Sequence, residues 1–160
     1  MTPIRLLSAA CLLAAGMANA ETYTVHSPNT RIQVAVTNDA KGLSYSVALD
    51  GNKVLGDSAL GLIINDISLG NNELSFLGTK KEKSKDSFEL FGRTKNVVEE
   101  YNTITLKFAG KDERKLNLNL IVRAYDGGVA IRYVLPNESG LRPFTIQNEL
   151  TRFAFANNYT

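Results

Sequence analysis

The sequence has no tryptophan, one cysteine, one histidine and four prolines in 160 residues. Each scarcity closes off a class of chemistry. The lone Cys11 excludes an internal disulfide, and one thiol with one imidazole cannot build a Cys/His metal site. His26 likewise cannot complete a Ser/His/Asp triad without distant partners. It closes a strand pattern just before Ser27-Pro28, where a surface strand-end residue is expected. Without Trp the chain lacks the widest flat ring for stacking on a sugar. Six Tyr and seven Phe remain, but Tyr45, Phe108 and Tyr133 fall at inward-facing positions, which suits a core better than a platform. Charge of one sign is also missing: 18 bases against 16 acids leave +2, which gives no electrostatic case for nucleic acid or an anionic membrane surface.

The N-terminus carries the one targeting pattern. Arg5 supplies a small positive region, Leu6 to Ala15 is apolar apart from Ser8, and Ala18-Asn19-Ala20 places small residues where signal peptidase needs them. The apolar run is too short to span a bilayer. Residues 1–20 are therefore read as a secretory signal cleaved between Ala20 and Glu21, with Cys11 inside it and not at a lipoprotein position. Cleavage takes away Arg5 and no acid, so the formal charge falls from +2 to +1. The mature chain, residues 21–160, is expected to be periplasmic or secreted and free of the membrane, with length for one core and one domain.

That mature chain reads as strand after strand. Ile32, Val34 and Val36 alternate with polar neighbours, as do Leu43, Tyr45, Val47 and Leu49, then Ile104, Leu106 and Phe108. Leu116, Leu118, Leu120 and Val122 continue the period, followed by Val129, Ile131, Tyr133 and Leu135. A period of two gives each strand one apolar and one wetter face. Asp50-Gly51-Asn52 and Asp126-Gly127-Gly128 have the composition of tight hairpin turns, where positive φ favours Gly and Asn, and Pro136 to Gly140 reads as a longer loop. No mature segment has helical periodicity with caps. The fold class expected is all-β, an antiparallel β-sandwich. The single charge run, Lys80 to Asp86, reads as a solvated loop or an edge strand guarded by lysines, since Glu82 and Asp86 interleave with the bases and cancel an anion-binding field.

Tests for catalytic groups come out empty. Glu99-Glu100 and Asp112-Glu113 are adjacent pairs, and neighbours on a strand point to opposite faces. Glycoside cleavage instead needs two carboxyls facing each other across the bond. Asp126 is better placed as a turn residue, and Glu149 lies on a polar face whose surroundings the sequence does not show. Gly61 and Gly70 are isolated and open no helix, so no phosphate cradle is expected. The Asn137-Glu138-Ser139 and Asn158-Tyr159-Thr160 sequons read as chance matches. The site assignment is accordingly no catalytic and no metal-binding residue, with any carbohydrate-binding residue unassigned.

Several stretches, taken in order, resemble one family. They are Tyr23 to Asn29, Gly42 to Val47 with Asp50 to Leu55 and Ser58 to Leu62, Phe91-Gly92-Arg93 with Glu99 to Asn102, and Arg123 to Tyr133. The segment Ile146 to Phe155, with Glu149-Leu150-Thr151 and Phe153, closes the series. Together they resemble the N-terminal β-sandwich domain of glycoside hydrolase family 97, with Ile131 where an aromatic residue is usual, a swap the core should tolerate. The resemblance implies an α-glucosidase or α-galactosidase whose super-sandwich precedes a catalytic (β/α)8 barrel bearing the acids. It implies calcium in the full-length enzyme, held mainly by barrel glutamates with a sandwich glutamate in a His-Glu-Ala motif. That motif does not occur here, so neither a calcium role nor a catalytic role passes to Glu149. Cofactors in this chain are expected to be none, and the partners a same-chain barrel and an α-linked oligosaccharide. The sandwich is expected to be incomplete at its C-terminal end. Two other readings stay open: a stand-alone periplasmic carbohydrate-binding module, and a structural or interaction sandwich of the cell envelope.

Overall fold

The computed structural model describes residues 20–71, 74–89, 96–111, 116–136 and 143–158. The expected signal before Ala20, Cys11, Phe91 to Arg93, Asp112-Glu113 and the loop after Pro136 lie outside those residues. Eleven strands follow in order: β1 (Glu21–His26), β2 (Ile32–Asp39), β3 (Gly42–Leu49), β4 (Asn52–Ala59), β5 (Leu62–Ile64), β6 (Ile67–Leu69), β7 (Ser75–Glu89), β8 (Asn96–Ala109), β9 (Asn117–Tyr125), β10 (Gly128–Val134) and β11 (Ile146–Glu149). Among the described residues there is no helix. β1 begins at the residue expected to follow cleavage.

Two four-stranded antiparallel sheets, ordered β1-β2-β3-β4 and β10-β9-β8-β7, form the sandwich. The alternation seen in the sequence is the alternation that packs. Val34, Val36, Ile104, Leu106, Phe108, Leu118, Leu120 and Val122 are fully buried between the sheets, where β-branched and aromatic side chains suit a pleated, covered surface. Phe76 links the layers, stacked on Tyr23 at 4.5 Å and set edge-on to Phe108 at 5.9 Å. A third, small sheet, ordered β11-β5-β6, continues the line of β4.

Asn38 is the polar exception in this core. It follows Ile32, Val34 and Val36 in the buried register and is itself buried. Its side-chain amide donates to the Leu74 carbonyl at 2.7 Å and accepts from the Leu74 N–H at 3.2 Å, so both polar ends are satisfied.

The turns hold as expected, with one difference. Leu49 pairs with Asn52 across Asp50 and Gly51, whose φ angles are 50° and 80°. Both central residues being left-handed is the hairpin turn that matches strand twist. Tyr125 and Gly128 pair across Asp126 and Gly127, but positive φ is not found at that pair. Glycine there serves a turn with open space around it and not a left-handed backbone. Asp126 does more than turn the chain. Its carboxylate accepts the Asn29 N–H at 2.8 Å and ties the Ser27–Asn29 turn to the β9–β10 hairpin. The lysine run lies within β7, an edge strand paired only to β8.

Glycine is demanded where the small sheet meets the large one. Gly70 has φ of 97°, and a Cβ on it would stand 2.4 Å from the Leu60 carbonyl oxygen. On Gly42, with φ of 114°, it would stand 2.0 Å from the Gly70 carbonyl oxygen. That same oxygen accepts the Leu43 N–H at 2.7 Å. The two backbones touch, and only hydrogen fits between them.

Candidate functional site

A cavity of about 700 Å³ opens at one flank of the sandwich. One wall is β10, which presents Val129, Ile131 and Tyr133, with Leu135 just beyond it. The opposite wall is Tyr45 and Val47 of β3 and Leu55 of β4, with Phe153 packed edge-on to Tyr45 at 6.5 Å. Phe144 and Ile146 stand at the mouth, 46% and 55% exposed. The period of two thus continues through β10, but its apolar face is only half-buried. Ile131 is a groove-wall residue packed against the core and not one of its fully buried members.

The far wall is built by residues 150–156, which run antiparallel beside β4. The Leu150 N–H bonds to the Gly61 carbonyl at 2.8 Å, Arg152 N–H to Ala59 at 2.9 Å, and Ala156 N–H to Val54 at 3.0 Å. The Gly56 N–H returns a bond to the Ala154 carbonyl at 2.7 Å. β4 shifts register against β3 there. Ser58 fits the irregularity by donating to the Gly56 carbonyl at 2.9 Å and accepting the Ala154 N–H at 3.0 Å. Alternation along residues 149–153 turns Glu149, Thr151 and Phe153 toward the groove.

One polar chain crosses this apolar wall. The Gly61 N–H donates to the Tyr133 hydroxyl at 3.0 Å. Thr151 donates its only hydroxyl proton to Glu149 Oε1 at 2.7 Å. Tyr133 must therefore be the donor in its 2.7 Å bond to Thr151 Oγ1. The order of donors, backbone to phenol to hydroxyl to carboxylate, is fixed by the acceptor-only carboxylate at its end. Burial pushes the Tyr133 phenol above its ordinary value, and the Glu149 charge adds to the rise, against the bond donated by the Gly61 N–H. Glu149 is thus faced by Thr151 and, through it, by Tyr133. The sequence carried a sign of this, since Tyr133 occupies an apolar register and a buried phenol needs a partner.

Several other acids are engaged in surface pairs. Glu100 is paired to Lys85 at 2.7 Å across β7 and β8, and that ammonium holds its carboxyl below the usual range. Glu99 is opposite Asp86 in the register. Arg31 grips Asp50 through two bonds of 2.9 and 2.7 Å, which holds the Asp50 carboxyl low. His26 is exposed at the end of β1, and its carbonyl accepts from the Asn102 side chain at 2.8 Å. The structure brings His26 beside Lys81 and Lys83 in a shallow hollow of about 330 Å³. Across from it, Tyr101 donates to Asp86 at 2.7 Å and carries the Arg123 guanidinium over its ring at 4.7 Å. No two carboxyls among these contacts face each other across a groove in the manner that glycoside cleavage requires.

A sequence model of the glycosyl-hydrolase 97 N-terminal family matches residues 25–160. The chain belongs to that family. Solved structures agree. A glycoside hydrolase family 97 enzyme from Pseudoalteromonas sp. strain K8, in complex with acarbose, superimposes with a TM-score of 0.77 at 27% identity over 84% of this chain. A variant of that enzyme in complex with panose gives the same values. A β-arabinopyranosidase follows at 0.75 and 29% identity over 83% of this chain. The chain spans 20% to 21% of the length of these enzymes. No curated protein sequence matches it.

Proposed function

We propose that this family 97 chain is the non-catalytic N-terminal sandwich segment of an exported α-glycoside hydrolase, which packs on a catalytic barrel of the same polypeptide and helps shape its sugar pocket. The observation that carries the reading is the family match over residues 25–160 in a chain that spans only a fifth of the solved enzymes. The chemistry of the described residues supports it, because the groove offers one carboxylate, Glu149, already engaged by Thr151. Export to the periplasm or beyond rests on the Arg5 to Ala20 pattern.

Calcium, implied for the complete enzyme, finds no fit among the described residues, where no three His, Cys, Asp or Glu side chains come together. Calcium takes six to eight oxygen ligands, and we propose that residues elsewhere in the polypeptide supply them. The test is hydrolysis of a nitrophenyl α-glucoside by purified residues 21–160 and by the complete product of the same gene. No turnover by the segment, with turnover by the complete product, is expected. Enzyme-like turnover by the segment overturns the non-catalytic reading. A carbohydrate-binding module is the second reading, favoured by Tyr45, Tyr133 and Phe153 around the groove. It requires heat of binding to malto-oligosaccharides at millimolar concentration.

A further inference from the structure

Asp50-Gly51 and Asp126-Gly127 both form hairpin turns, and the structure fastens them differently. At the β3–β4 turn the Asp50 N–H donates to the Arg31 carbonyl at 2.8 Å. Both Asp50 carboxylate oxygens accept from the Arg31 guanidinium, at 2.9 and 2.7 Å. At the β9–β10 turn the Asp126 carboxylate accepts the Asn29 N–H on Oδ1 at 2.8 Å. Its second oxygen has no partner among the described residues. Asp126 and Gly127 are exposed, and nothing stands within 4 Å of where a Cβ on Gly127 would lie.

We infer that the Asp126–Gly127 peptide is a site of spontaneous isomerisation to isoaspartate, and that the Arg31 clamp spares Asp50–Gly51 the same reaction. This concerns the covalent fate of a turn and stands apart from the hydrolase reading. The Gly127 nitrogen attacks Asp126 Cγ, a C–N bond forms, and one carboxyl oxygen leaves with the amide proton as water. Water then opens the cyclic imide. Attack at Cγ restores aspartate. Attack at the α-carbonyl carbon breaks its bond to the Gly127 nitrogen, so the chain runs through Cγ and the α-carboxylate becomes the side group. The water lost in the first step returns in the second, and no other reactant is needed.

Glycine favours the attack because no Cβ shields its nitrogen and its backbone turns freely. The departing oxygen has to be protonated, so a carboxyl fixed and kept ionised by a guanidinium fork reacts poorly. Arg31 does this to Asp50, and its bonds hold that carboxyl below the usual range. Asp126 has only the Asn29 bond to give up. The product disturbs more than the turn. An added main-chain carbon lengthens the loop between the paired Tyr125 and Gly128, and the Asn29 N–H loses the acceptor that ties its turn to the hairpin.

The test holds the complete mature gene product warm at mildly acidic pH for weeks. It is then digested with an endoprotease that cuts before aspartate and not before isoaspartate. The cut at Asp126 is expected to be lost progressively at unchanged mass, and the uncut peptide to accept methyl groups from an isoaspartyl methyltransferase. The cut at Asp50 is expected to stay complete. Gly127→Ala, which the open space accommodates, should slow the change at Asp126 several-fold. Arg31→Ala should bring Asp50 to a rate comparable with that of Asp126. In concentrated urea, where the clamp is undone, the two sites of the parent chain should react alike.

An Asp126 cut that stays complete in the folded protein but is lost in urea overturns the inference, since the fold then protects that turn. Equal rates at Asp50 and Asp126 in the folded protein overturn the role of Arg31, as does an Asp50 rate unmoved by Arg31→Ala. An Asp50 rate far below that of Asp126 in urea assigns the difference to neighbouring residues and overturns the clamp as its cause.

Discussion

The same sheet ends in two different ways. On the β7 side the strand is long and charged, and polar side chains pair across it in water, as Lys85 does with Glu100. On the β10 side the strand is apolar and half-covered, and the polar groups near it are threaded into one chain from Gly61 to Glu149. The first edge is finished by solvent. The second is finished only if something packs on it. The contrast teaches that an edge strand shows its destiny in its charges, since lysines cost nothing beside water and a great deal beneath another strand.

The contrast can be broken at several levels. The largest effect is expected at the junction that supports the groove side. Gly70→Ala forces a Cβ against the Leu60 carbonyl at a positive φ and should cost about 3 kcal/mol or more by urea denaturation. Gly78→Ala in β7 meets open space and should cost about 1–2 kcal/mol, from its backbone alone. Equal losses would erase the distinction.

Next, Tyr133→Phe leaves the Gly61 N–H without its acceptor and should cost about 1–2 kcal/mol. Lys85→Ala, removing an exposed ion pair, should leave the denaturation midpoint where it is.

Lys81→Val with Lys83→Val strips the guard from β7. The doubly substituted chain should self-associate at concentrations where the parent does not, as light scattering or sedimentation would show. Unchanged behaviour would mean that the lysines do not protect that edge.

The smallest effect is in alkali. The Tyr133 phenol titrates above its ordinary value of about 10 in the folded chain, chiefly through burial. The unfolded chain therefore releases this proton first. Stability is whole below about pH 10 and falls as pH rises from there through the folded value. The Tyr133→Phe chain should show a shallower fall by circular dichroism. Tyr101, raised chiefly by its bond to Asp86 on the β7 side, should respond when Asp86→Ala removes that bond.

Much of this fold was legible. β2, β3, β8 and β9 follow their alternation directly, because a strand covered on one face must repeat every two residues. The Asp50-Gly51 turn was readable because its left-handed backbone restricts the residues that fit. The lysine run was readable as a solvated loop or an edge, and pairing with β8 decides for the edge. The groove was not. Val129, Ile131 and Tyr133 carry the same period as buried strands, and periodicity reports which face is apolar without reporting what lies over it. Asn38 was hidden differently, since one amide in the buried register looks like the end of a strand until Leu74 arrives to satisfy both its ends. The Tyr133–Thr151–Glu149 chain joins residues whose meeting depends on residues 150–156 returning to β4, a pairing no local pattern announces.

That return also sets a clock. Ser58 waits for the Ala154 N–H, a partner 96 residues later in the chain. The β2–β3 and β9–β10 hairpins can close soon after they are made, because their partners are adjacent in sequence. The outer side of β4 cannot. It stays bare until nearly the whole segment has been synthesised, and pairing over such separations is slow. A newborn chain therefore passes through an interval with one more naked strand than the finished fold, and that interval is when aggregation is the greatest danger.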